Sequence, residues 1–267
     1  MNHRVAVLGG MVALQLLSCG GDDVPICPTG DCTLPSNTVV KWTFDHYPEW
    51  QFSSDSCVDF GVAKVQVDVM DASFGVTTAI DDCGAAQVTF TGLAQGPYTV
   101  FVAPLDANGN SVVHAPIMGT VVAGLPGSVT ETMVYVPWTA WVGTYTGTFL
   151  FRLAWSGVTC ASALPVPVVT QIITLTAGGN VVTAMTDHGQ RLDGTDPKPC
   201  VSLSENFPQS ATMLPFGPAT LHVVGKDATD AVRFDNVFPT FVGAGISNPT
   251  VTYDMVDAGV DAAIDAP

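Results

Sequence analysis

From Lys64 to Val69 the chain alternates strictly between polar residues and valine. A period of two places the three valines on one face of a strand and Lys64, Gln66 and Asp68 on the other. Tyr98, Val100 and Val102 alternate with Thr99, Phe101 and Ala103, and Tyr145, Phe149, Phe151, Leu153 and Trp155 share one parity. Trp42 and Phe44 alternate with Lys41 and Thr43, which makes both rings core residues. Asn108-Gly109 lies between apolar runs as a hairpin turn, and Gly178-Gly179-Asn180 follows a strand in the same way. After residue 18 no stretch sustains a 3.6-residue apolar period. Strands with one apolar face are what an antiparallel sandwich requires. The pattern predicts an all-β fold.

The pattern occurs twice. GPYTVFVAPLDA at 96–107 and GPATLHVVGKDA at 217–228 agree at six of twelve positions with an offset of 121. VTETMV at 129–134 and VTYDMV at 251–256 agree at four of six with an offset of 122. Each half runs aromatic strand, cysteine, alternating strand, cysteine, Gly-Pro strand and closing Val-Thr strand. This order predicts two tandem antiparallel β-sandwich domains, 38–137 and 138–256, each too long to be a solenoid repeat. Residues 19–37 read as a tether. The segment DAGVDAAIDAP at 257–267 reads as an acidic tail without a foldable pattern.

Gly96-Pro97-Tyr98-Thr99-Val100, running into Asp106-Ala107-Asn108-Gly109, resembles the carboxypeptidase-regulatory-like and transthyretin-like β-sandwiches. Tandem modules of this kind also resemble Ig-like domains. The resemblance implies a sandwich and no particular activity. The second half departs from the motif, with Ala219 in place of the tyrosine and no Asn-Gly turn.

The N-terminus changes the picture. Val5 to Leu17 is an apolar run after one cation, Arg4, and it is too short to cross a bilayer as a stable helix. It ends in Leu16-Leu17-Ser18-Cys19, which resembles the lipobox of bacterial lipoproteins. That resemblance implies a signal peptide, 1–18, cut before Cys19, and acylation of the cysteine thiol and of the new amino group. Two or three acyl chains would anchor the protein stably in a membrane. Gly20, where an Asp would imply inner-membrane retention, points by the same resemblance to the outer membrane.

Lys plus Arg is 8 against 24 Asp plus Glu, a formal charge of -16, which excludes a nucleic-acid partner. With 47% hydrophobic and 12% charged residues, the chain has material for a core. Beside Cys19 stand six cysteines, an even number that in an exported chain reads as disulfides. No CxxC or CxxH occurs, so zinc is not expected. The repeat selects Cys57–Cys83 and Cys160–Cys200, each pair bracketing the alternating strand of its own half. Cys27 and Cys32 form the third pair, closed by the turn residues between them.

Catalytic motifs are missing: no Gly-x-Ser-x-Gly elbow, His-Glu-x-x-His, Walker loop or dinucleotide fingerprint is present. Asp106-Ala107-Asn108-Gly109-Asn110 spaces its oxygens like a calcium loop, but the twelfth position is Ile117, not an acid. His46, Tyr47, Trp50 and Phe52 share a loop broken by Pro48. Rings on such a loop stack on sugar faces or anchor a protein partner. The expected function is therefore non-enzymatic and without cofactor or metal: a membrane-anchored lipoprotein of the cell envelope with a binding or structural role. Its partners would be the membrane, through the lipid, and a glycan or envelope protein. A polysaccharide-binding or substrate-capture module using the Tyr47–Trp50 loop is the second reading. An enzyme whose residues converge from separate loops is the third.

Overall fold

The computed structural model describes residues 36–45, 54–156, 159–163, 165–201 and 208–256. The first half builds two sheets. One holds β1 (Ser36–Phe44), β4 (Gln87–Leu93) and β7 (Val129–Val136) in the order β4-β1-β7. The other holds β2 (Lys64–Met70), β3 (Val76–Asp82), β5 (Gly96–Leu105) and β6 (Ile117–Ala123) in the order β3-β2-β5-β6. The second half does the same with β8 (Thr146–Trp155), β12 (Gln209–Pro215) and β15 (Thr250–Met255), ordered β12-β8-β15. Its larger sheet is β10-β9-β13-β14, from β9 (Thr170–Ala177), β10 (Asn180–Val181), β13 (Gly217–Lys226) and β14 (Val232–Val242). A further piece, β11 (Lys198–Pro199), pairs with the start of β9.

The register repeats with the strand order. Val67 and Val69 stand opposite Val102 and Val100; Ile173 and Leu175 stand opposite Val223 and Leu221. Val100 and Leu221, like Val102 and Val223, lie 121 residues apart. The sandwiches are antiparallel, as the alternation predicts, apart from one closing pair in each half: β7 lies parallel to β1, and β15 parallel to β8. The closing strand arrives from the opposite sheet, so no hairpin obliges it to reverse against its neighbour.

Pairing also corrects one sequence match. An offset of 122 equates Met133, 43% exposed, with Met255, which is fully buried. Opposite the buried tryptophans stand Val134 (on Trp42) and Met255 (on Trp155), again 121 apart. Side chains change face at every residue, so the one-residue slip of VTETMV on VTYDMV is a likeness out of phase with the core.

Each half has its own buried cluster, around Trp42, Phe44 and the β2 valines in the first and around Phe151, Trp155, Ile173 and Leu175 in the second. Trp42 Nε1 donates to the carbonyl of Cys83 at 3.1 Å, and Trp155 Nε1 to that of Val201, next to Cys200, at 3.5 Å. Each indole thus buries its ring and satisfies its donor at the same place in the fold.

The halves part at one edge. In the first, β3 is an unbroken seven-residue strand beside β2. In the second, a two-residue turn, Gly178-Gly179 with φ of 58° and 78°, returns the chain onto β9 for only two residues. Residues 182–197 then fold over this edge, touching it again through the Thr174–Asp193 bridge before β11. Buried side chains hold this segment. Gln171 Nε2 donates to Gln190 Oε1 at 3.3 Å, Gln190 Nε2 donates to the Arg191 and Asp196 carbonyls, and Thr186 Oγ1 donates to Gln209 Oε1. All four polar residues, Gln171, Thr186, Gln190 and Gln209, are at most 4% exposed.

Candidate functional site

The cysteines come together as the repeat predicts. Cys57, on α1 (Ser54–Asp59), is bonded to Cys83, which opens a short 3-10 turn after β3. Cys160, in a 3-10 turn after β8, is bonded to Cys200 just past β11. Cys19, Cys27, Cys32, His46, Tyr47, Trp50 and Phe52 lie outside the described residues.

The oxygen-rich loop at Asp106 has a structural task. Asp106 Oδ1 accepts the N–H groups of Asn108 and Asn110, both at 2.8 Å, and Oδ2 accepts Asn110 Nδ2 at 3.1 Å. Its carboxyl is held below the usual carboxylate range, chiefly by the Asn110 N–H. Asp227, 121 residues on, does the same for Thr229 and Ala231, with Arg233 Nε on Oδ2 at 2.7 Å. The expected missing turn of the second half is therefore present, built from other residues. Among the described residues, no three His, Cys, Asp or Glu side chains converge as metal ligands would. His222 points outward and meets Asp235 at 2.6 Å; His188 meets Asp187 at 2.8 Å.

The candidate site lies where the two halves meet. Phe60 stacks on Trp141, centroids 4.1 Å apart and planes at 17°. Phe44 and Tyr145 meet these rings edge-on, and Phe216 carries the contact from Phe60 to Phe241 of β14. The rings form one continuous chain from the first half's core to β14 of the second half. Tyr145 donates its hydroxyl to the Phe60 carbonyl at 3.2 Å, and burial raises its pKa. Asp59 of α1 accepts N–H groups from Ile246 and Ser247, and Ala244 of the same loop is buried in the first half's cluster. The Trp141 indole N–H is buried without a hydrogen-bond acceptor among the described residues.

Outside these rings is a groove of about 490 Å³, walled by Trp138, Trp141, Tyr145, Phe216 and Pro215, with Met213 exposed on its rim. Trp138 is 40% exposed. Thr139, Gly143, Thr144 and Thr146 also line it, and Tyr145 is its one titratable group among the described residues. Such a surface offers apolar faces and neutral hydrogen bonds, the chemistry of holding a sugar ring or an apolar side chain. Trp138 and Trp141 follow directly on the boundary between the halves in the sequence, which by itself marks them for this junction. The sequence reading assigns Tyr145 to the strand parity, whereas the ring lies just before β8, at the seam. Phe60 and Phe216 escaped that reading because neither lies in a strand; large rings outside any alternating run were the signal.

No protein-family model matches the chain, and no curated protein matches it. Among solved structures it is similar to a leucine-rich repeat protein from Bacteroides thetaiotaomicron, at 12% identity and a TM-score of 0.26. That match covers 83% of this chain and 26% of the other, so this chain spans about a quarter of its length. The minor pilin of Streptococcus agalactiae matches at 11% identity and a TM-score of 0.24, over 84% of this chain and 96% of the pilin. Fibronectin(III)-like modules of Clostridium thermocellum CbhA match at 12% and 0.19, over 69% and 79%. At those scores the fold assignment rests on the strand register described above.

Proposed function

We propose that the chain is a non-enzymatic protein of the cell envelope, anchored by lipid on Cys19, with its two sandwiches held out from an outer membrane as a binding or structural module.

 The paired disulfides carry this reading. Bonds at equivalent positions of a repeated scaffold support folding in an oxidising compartment, outside the cytoplasm. The lipobox-like Leu16-Leu17-Ser18-Cys19 supports the manner of attachment. Metabolic labelling with a fatty acid tests it. The wild-type chain should take up label and sediment with membranes, and Cys19→Ser should do neither. Equal labelling of the two proteins would overturn the anchor.

One observation favours a second reading, capture of a glycan or a protein segment. Asp45, where the Tyr47–Trp50 loop begins, accepts the N–H of Trp138 on the groove rim at 3.2 Å. Asp45, the last described residue before that segment of the sequence, therefore lies against the groove. A glycan array probed with wild type, Trp50→Ala and Trp138→Ala is the test. Binding lost in both variants supports capture at this end of the molecule, and binding unchanged in both removes it.

A further inference from the structure

We propose that the free edge of β3 is a self-association site, through which two molecules join their larger sheets into one continuous sheet. The first observation is the direction of the backbone groups. Cys83 donates its N–H to the Ala63 carbonyl, and the Gly75 carbonyl accepts the Asp71 N–H. Odd-numbered residues of this stretch therefore face β2, and Val76, Thr78, Ile80 and Asp82 turn their N–H and C=O groups to the open side. The Asp82 N–H is already taken by Asp81 Oδ1 at 2.8 Å, which closes that end. Val76, Thr78 and Ile80 have no hydrogen-bond partner for these groups among the described residues.

The second observation is what the edge lacks. Natural edges are blunted by charge, proline, bulges or short length. From Val76 to Ile80 there is no charge, no proline and no register shift, and Val76 and Ile80 are 58% and 53% exposed. The equivalent edge of the second half is broken into two-residue pieces carrying Lys198 and Pro199.

The third observation selects the occupant as a second molecule of this chain. Laid antiparallel about Thr78, the strand is complementary to itself. Val76 falls beside Ile80 of the other molecule, Thr78 beside Thr78, and Ile80 beside Val76. These are the three residues with open backbone groups, and they would form about six hydrogen bonds. Threonine pairs and β-branched pairs are favourable cross-strand neighbours. The acids lie only at the two far ends, where Asp81 and Asp82 fall opposite Gly75 and Phe74 of the other molecule and approach the Asp71 carboxylate that accepts the Gly75 N–H.

Sedimentation velocity of the full-length chain in mild detergent, over a concentration series, tests the proposal. The wild type should show a monomer–dimer equilibrium that tightens with added salt, because screening relieves repulsion between two acidic molecules. Ile80→Pro removes one outward N–H without touching the β2 ladder. Thr78→Lys sets two cations face to face across the two-fold axis. Each should weaken association about tenfold or more. Thr120→Lys, on the exposed face of β6 away from the edge, should leave it unchanged. If Ile80→Pro disturbs folding, as read by near-ultraviolet circular dichroism, Thr78→Lys decides alone. A chain that stays monomeric throughout, or a dimer that survives Thr78→Lys, overturns the proposal.

Discussion

The two halves share a framework and differ most at one edge. Strand order, register, disulfide position, the indole bonded beside the second cysteine and the aspartate-capped turn all recur. At the edge, the first half keeps a plain strand, and the second replaces it with a segment held by buried glutamines. The shared features all tie the opposed sheets together or turn the chain between core strands. An edge strand has only one neighbour, so it can diverge without disturbing the rest.

The largest effect should come from the shared indoles. Trp42→Ala and Trp155→Ala should each cost about 3–5 kcal/mol by urea unfolding. Hydrogen exchange would show whether the loss stays in its own half or crosses the aromatic seam. A loss confined to one half would mean that the Phe60–Trp141–Phe216 contacts do not couple the cores.

Removing a disulfide by paired Cys→Ala substitution should cost about 2–4 kcal/mol in either half. The separations are 26 and 40 residues, so the chain-entropy model makes the second pair worth about 0.4 kcal/mol more. A reversed order, measured by the same unfolding assay, would point to differences in the native state rather than in the unfolded chain.

The divergent edge can be broken by itself. Gln190→Ala leaves Gln171 Nε2 without its acceptor and should cost about 1–3 kcal/mol. Proteolysis within 182–197 should accelerate, while β3 in the first half stays as protected as before. Unchanged cleavage would show that the glutamines do not order the segment.

The aspartate-capped turns offer a finer comparison. Gly109 has φ of +82°, and Asp230, its counterpart 121 residues on, has +65°. Asp tolerates this region better than most residues, but glycine enters it without strain. Asp230→Gly should therefore raise stability by up to about 1 kcal/mol, less the small loss of its exposed contact with Lys226. Gly109→Ala should lower it by about 1 kcal/mol. A destabilised Asp230→Gly in thermal melts would show that the aspartate's own contacts outweigh the strain.

The smallest effect should be in acid. Hydrogen bonds hold the carboxyl of Asp106 below its usual range, first from the Asn110 N–H. They do the same for Asp227, first from the Thr229 hydroxyl and next from Arg233. A folded-state pKa below the unfolded one gives stability that is present above about pH 4 and lost as the pH falls through the folded value. Unfolding midpoints at about pH 6 and about pH 3 should show this decline, and Asp106→Asn and Asp227→Asn should flatten it. An unaltered slope in both variants would place the acid sensitivity elsewhere.

Features that recur at a fixed spacing were legible in the sequence. Val65, Val67 and Val69 announce their face by alternation, and the repeat picks Cys57–Cys83 and Cys160–Cys200 from fifteen pairings. The closing strands were harder, because Val-Thr-rich segments resemble one another at neighbouring registers, and only the residues opposite Trp42 and Trp155 separate them. The seam and its groove were legible only at Trp138 and Trp141. Phe60 and Phe216 act through contacts far along the chain, and no local pattern marks them. Gln171 shares the parity of Ile173 and Leu175, so alternation sends it inward without naming the partners it would need there.

The parallel pairs that close each half have a mechanical consequence. The first strand of each half enters at one end of the pair, and the last strand leaves at the other. Tension applied to the ends of a half therefore acts along the strands, in shear. In the first half eight paired positions, from Asn37–Val129 to Phe44–Val136, carry that load together instead of parting one after another like a zipper. The second half is coupled in series with the first and is clasped the same way, from Thr250–Leu150 to Met255–Trp155. Each half is built to resist extension at its ends, while its free sheet edges bear none of that force.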